Sequence, residues 1–196
     1  MEKFIQKIQS LDNILQWEER DSMIRESVSQ HSFKVASIAY YILNNLESEE
    51  HRDVSVKTKY LEFKFDVLSY AIMHDFDEAI LGRDISHTVK YNKYNGGDIR
   101  KTLNEFVKHE LDIKFDNIMP DVSSDVQAFV KLCDWIALLT FINRNRKMGC
   151  LNFDEEREYC ISSMFDKVDE VDKILNEKYK VKNISNVIKN LNYERS

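Results

Sequence analysis

The chain has 196 residues, 43% of them hydrophobic and 32% charged, which is enough for one sizeable core and too little for two ordinary domains. That composition excludes a disordered chain, and a formal charge of −6 leaves no electrostatic footprint for wrapping a nucleic-acid polymer, although a local basic pocket could hold a small phosphate. No apolar run approaches the roughly 18 residues that cross a bilayer, and the opening MEKFIQKIQSLDN mixes charge with apolar residues instead of building a secretion signal.

The three cysteines, Cys133, Cys150 and Cys160, are odd in number and lack the paired spacing of a zinc knuckle. A cytoplasmic protein with reduced, ordinary thiols and no membrane partner is expected. One proline and four glycines leave few breakers, and apolar residues recur at three- and four-residue spacings, so the fold is predicted to be all-α. Helices are predicted over residues 2–16, 29–47, 60–75, 98–111, 122–147, 154–178 and 184–193.

The first predicted helix leads into a polar loop at 18–28. In the second, Val35, Ile38, Ala39, Ile42 and Leu46 form an apolar stripe, and His31 lies one turn before Val35 on the same face, so its imidazole points inward. The segment VSVKT at 54–58 alternates weakly like a strand but has no partner run, and is read as loop. In the third helix, Phe65, Leu68 and Ile72 form a stripe that runs into His74 and Asp75, which puts an imidazole and a carboxylate at a buried helix end. A second polar loop, 82–97, follows that pair. In the fifth helix, Val130, Ala137 and Phe141 share a face with Asp134, so a carboxylate interrupts a core-facing surface. The last forty residues, rich in Lys, Asn, Asp and Glu, are read as solvated helical faces. Residues 1–150 are expected to carry the functional core, and 151–196 a helical extension packed on the same domain.

Taken singly, an inward His is usually a satisfied core histidine, and an inward Asp can cap a neighbouring helix. Together the four groups require another account, because isolated buried carboxylates are expensive. A shared divalent cation, bound by imidazole and carboxylate together, offsets all of that charge at once.

The order His31, then His74-Asp75, then Asp134 resembles the H…HD…D signature of HD-domain phosphohydrolases, which are helical and bind a metal through those four positions. The surrounding text sharpens the likeness: RESVSQHSFKVASIAYYI at 25–42, HDFDEAILGRDISHTVKY at 74–91 and KLCDWIALL at 131–139. These segments are similar to the motifs R-x-N-V-x-E-H-S, H-D-x-x-E-x-x-x-G-D-x-x-x-x-V-K and K-x-x-D of the bacterial 5′-deoxynucleotidases. The likeness spans roughly residues 10 to 150.

The resemblance implies that His31, His74, Asp75 and Asp134 hold one divalent cation (Co2+, Mn2+, Zn2+, Ni2+ or Fe2+) and that Glu78 handles protons at the attacking water. Glu78 follows His74 by four residues, which supports this independently if the helix continues; otherwise it is a helix-end glutamate. By the same resemblance Trp17 packs on the sugar and reads its missing 2′-hydroxyl, Asp84 and His87 contact nucleoside and phosphate, and Lys90 is the lysine of the V-K pair. A core tryptophan and a surface lysine are the plain alternatives. Two departures stand out: Gln16 replaces the arginine that orients the phosphate in the family, and Arg83 is an extra residue between Gly82 and Asp84. Arg20, Arg25 or Arg83 could supply the missing charge.

The expected activity is a metal-dependent nucleotide phosphohydrolase, a dNMP giving deoxynucleoside and phosphate, acting as a homo-oligomer on a small-molecule substrate. The nearest alternative removes triphosphate from a dNTP through the same ligands. A (p)ppGpp-type hydrolase follows the text around His74 less well, and a dinuclear cyclic-dinucleotide phosphodiesterase would need a further histidine cluster. The alternative of another class is a catalytically silent nucleotide-binding module.

Overall fold

A computed structural model of the protein describes residues 2–18, 20–48, 53–84, 105, 109 and 121–189. The chain runs α1 (Glu2–Ser10), α2 (Val28–Asn45), β1 (Glu47–Ser48), α3 (Val54–Met73), α4 (Phe76–Leu81), α5 (Ser124–Lys147), α6 (Asp154–Tyr179), β2 (Val181–Lys182) and α7 (Ile184–Lys189). The two strands pair antiparallel, Glu47 with Lys182 and Ser48 with Val181, and are only two residues each, so the architecture is all-α as expected.

The helix starts follow local chemistry. Ser27 and Gln30 form a reciprocal cap at α2, in which Ser27 Oγ accepts from the Gln30 amide and Gln30 Oε1 accepts from the Ser27 amide. Asp53 caps α3 by accepting from the Ser55 amide at 2.8 Å. That cap overturns the reading of 54–58 as loop: VSVKT is the first turn of α3. Its weak alternation is outweighed by a strong N-cap and by the apolar face that continues beyond it.

Helix α5 is the hub and packs against α6, α2 and α3. Phe129, Leu132, Cys133, Ile136, Ala137, Leu139 and Ile142 are all buried, so it is apolar around most of its circumference, as a central helix must be. A second, smaller cluster joins Leu11, Ile14, Val28, Phe76, Ala79 and Ile80 where α1 meets α4.

The α3 face differs from expectation. Phe65 and Ile72 are 72% and 57% exposed, whereas Tyr60, Phe63, Val67 and Ala71 are buried. His74 continues that second stripe, three residues beyond Ala71, so it still faces inward. α3 ends at Met73 and a new short helix begins at Phe76, so the predicted single run to 75 is broken at the His-Asp pair. Of the predicted helix 98–111 only residues 105 and 109 are described, both helical.

Candidate functional site

Four elements converge beside the middle of the hub helix. α2 presents His31 in its first turn, the α3–α4 junction presents His74 and Asp75, and the middle of α5 presents Asp134. The His31, His74 and Asp134 ligand atoms lie within 4.8 Å of one another. His31 Nε2 is 3.0 Å from Asp134 Oδ1, and Asp75 Oδ2 is 3.1 Å from His74 Nε2.

His74 donates its Nδ1 proton to the Ala71 carbonyl at 2.8 Å, which assigns the tautomer and leaves Nε2 as a bare acceptor. That Nε2 is buried without a hydrogen-bond partner. A buried imidazole nitrogen beside two carboxylates and a second imidazole is what a divalent cation requires, and the donor set of nitrogen and oxygen fits one.

The electrostatics agree. Burial disfavours charge on His31, yet its hydrogen bond to Asp134 and the Glu26 carboxylate 3.5 Å from Nδ1 push it up to about 10, so this point of the interior demands positive charge. Burial likewise opposes ionised Asp134, but Lys131 and the His31 hydrogen bond hold its carboxyl far below the usual carboxylate range. Lys131 Nζ sits 2.6 Å from Asp134 Oδ2 and 4.5 Å above the Trp135 ring. The K-x-x-D spacing carries that contact, since residues three apart share a helical face.

Glu78 lies in the first turn of α4, 1% exposed, with its amide donating to the Asp75 carbonyl at 3.0 Å. The break at His74-Asp75 places it one turn beyond the ligand pair on a separate helix. It is therefore not the exposed helix-end glutamate of the plain alternative.

The segment before α2 forms a closed loop. Leu15 and Ser27 form a β-bridge, the Gln16 amide donates to the Glu26 carbonyl at 2.9 Å, and the Val28 amide donates to the Ile14 carbonyl at 2.8 Å. Trp17 follows with φ of 58°, a left-handed conformation that a bulky residue adopts at a cost of order 1–3 kcal/mol. The Asp84 carboxylate holds it there by accepting the Trp17 amide at 2.7 Å. Thus two residues expected at the substrate, 67 positions apart, are brought together. The Trp17 indole meets Phe153 edge-on, 6.0 Å between ring centres, while the residue stays partly exposed. Arg20 pairs with Glu156 on α6, which engages one of the three candidate cations, while Arg25 and Arg83 are exposed. His87 and Lys90 lie outside the described residues.

Sequence reasoning missed Asn145, fully buried on α5, whose Oδ1 accepts the Met23 and Ile24 amides at 2.9 and 3.0 Å. No local pattern marks it, because its partners lie more than a hundred residues away. Asn145→Ala would leave both donors unpaired; a loss of about 1–3 kcal/mol of stability is expected, read by urea denaturation, with metal content unchanged. Wild-type stability in that variant would show that water replaces the amide freely.

The helical scaffold brings a His/Asp group able to hold a metal ion to the meeting of its helices. The chain belongs to the family described as 5′-deoxynucleotidase YfbR-like, which it matches over residues 3–180. The crystal structure of an HD-domain phosphohydrolase from Listeria innocua shares the fold, with a TM-score of 0.68 at 16% identity, covering 99% of this chain and 90% of that one. No curated protein matches the chain by sequence. No described helix is long and apolar enough to cross a membrane.

Proposed function

We propose that the protein hydrolyses a 5′-deoxynucleoside monophosphate to deoxynucleoside and inorganic phosphate, with His31, His74, Asp75 and Asp134 holding one divalent cation. The observation that carries this reading is the convergence of His31, His74 and Asp134 ligand atoms within 4.8 Å of one another, beside a buried His74 Nε2 that makes no hydrogen bond and lies 3.1 Å from Asp75 Oδ2. A cation there, Co2+, Mn2+, Zn2+, Ni2+ or Fe2+, supplies Lewis acidity toward a phosphate oxygen and acidifies a water.

Glu78 takes the proton of the attacking water as its oxygen bonds to phosphorus, and delivers it to the sugar 5′-oxygen as the P–O5′ bond breaks. Its burial suits this work, since it keeps bulk water away from the carboxylate that handles the proton. Gln16 and Trp17 line the sugar and phosphate side from the closed loop, Asp84 fixes Trp17 in place, and His87 and Lys90 complete the substrate contacts. Residues 151–196 belong to the same domain as the core, and the described part, as far as Lys189, serves as a helical extension, with Glu156 and Phe153 bracing the loop. The enzyme acts as a homo-oligomer, dimer or larger, for which Phe33 and Phe65 leave apolar surface exposed on α2 and α3.

Trp17 should exclude ribonucleotides, because a 2′-hydroxyl against the indole face is buried without a partner, at about 1–3 kcal/mol. The expected result is a preference of roughly ten- to a hundredfold in kcat/KM for dAMP over AMP, at about 1.4 kcal/mol per factor of ten. Trp17→Ala should erase most of it. Equal rates on AMP and dAMP would return Trp17 to a purely structural role beside Phe153. A second reading, release of tripolyphosphate from a dNTP, is favoured by Gln16 alone, where the family places an arginine on the phosphate. Product identification with dAMP and dATP decides between them.

A further inference from the structure

Glu26 is a buried carboxylate outside the ligand set. It is 5% exposed and sits immediately before the α2 cap, its carbonyl tied to the Gln16 amide and one carboxylate oxygen, Oε2, paired with Lys34. The other oxygen, Oε1, has no hydrogen bond to any described residue and lies 3.5 Å from His31 Nδ1. His31 and Lys34 share a face of α2, three residues apart, and the Glu26 carboxylate is lodged against both. A buried carboxylate with one oxygen unengaged is costly unless it serves the group it faces.

Resting on the proposed metal site, we propose that Glu26 is the positioning residue for His31: its carboxylate accepts a hydrogen bond from Nδ1–H, which keeps the proton on Nδ1 and turns the bare Nε2 toward Asp134 and the cation. Lys34 braces the carboxylate from the far side and keeps Oε1 on the ring. His74 obtains the same service from the Ala71 carbonyl at 2.8 Å. The two imidazoles are thus oriented by different acceptors, a charged one for His31 and a neutral one for His74. A carboxylate behind a ligating imidazole raises its basicity, and loss of such a partner typically costs about 10–100-fold in metal affinity.

The test is Co2+ titration of metal-stripped protein, with circular dichroism as the folding control. Glu26→Leu should weaken binding by about 10–100-fold with helix content intact. Glu26→Asp, which withdraws the carboxylate by one methylene and is the milder change, should weaken it in the same direction. Glu26→Gln, which keeps an acceptor oxygen but not the charge, should weaken it less than Glu26→Leu does. In the Zn2+-loaded protein the His31 Nδ1 proton should resonate downfield and exchange slowly, and in Glu26→Asp it should move upfield and exchange faster. Wild-type Co2+ affinity in folded Glu26→Leu or Glu26→Asp, with an unmoved Nδ1 proton, overturns the proposal and leaves the metal site standing. A wild-type protein that binds no Co2+ overturns the metal reading itself, and this proposal with it.

Discussion

Asp134→Ala protein is expected to purify without its cation and with turnover reduced by at least about three orders of magnitude, since a metal's charge stabilisation is worth several kcal/mol. The substitution removes the carboxylate that meets His31 Nε2 at 3.0 Å and Lys131 Nζ at 2.6 Å. His31 then loses its main support for positive charge, and Lys131 faces the site without its anion. Breaking a buried, hydrogen-bonded charge set costs about 3–5 kcal/mol, so the variant should also unfold earlier in urea. His74→Ala should lose metal and turnover similarly, through removal of an imidazole ligand from the group. Elemental analysis per chain, a phosphate-release assay and denaturation measure the three effects. One equivalent of tightly held metal in Asp134→Ala would refute the site as drawn.

Glu78→Gln separates binding from chemistry. The amide matches the carboxylate in shape and fits the same buried position in the first turn of α4, but it cannot accept the proton of the attacking water. Turnover should fall by about two to four orders of magnitude while metal content and substrate affinity are retained. A dNMP should then be captured intact by the variant, visible in an equilibrium binding measurement that the wild type would consume. Near-normal turnover would make Glu78 a structural residue of the α1–α4 contact.

The ligand order is legible in the sequence because His31 and Asp134 each lie on a helix whose periodicity aims them inward. Val35, Ala39 and Ile42 aim His31, and Val130, Ala137 and Phe141 aim Asp134; all six are buried. On α3 two apolar stripes with the same spacing compete, and the one through Phe65 and Ile72 faces outward, against expectation. Periodicity alone cannot rank them: which one turns inward depends on where α2 and α5 lie. His74 faces inward all the same, because Val67, Ala71 and His74 align on the buried face. The break after Met73 has no proline or glycine to mark it, so the local sequence gives no warning of it.

By itself the sequence determined the helical class, the inward direction of His31 and Asp134, and the motif text that ties the chain to its family. These are carried by residues within a turn or two of one another, where the 3.6-residue period and short motifs are informative. Only the tertiary structure decided that His31 sits between Asp134 and Glu26, that Asp84 clamps the strained Trp17, and that Asn145 anchors the loop between them. Those pairs, apart from Glu26 and His31, join segments dozens to more than a hundred residues apart, and even Glu26 reaches His31 only because the chain turns sharply at the Ser27 cap. Long-range contacts are set by how whole helices pack, and no local pattern encodes the partner at the other end.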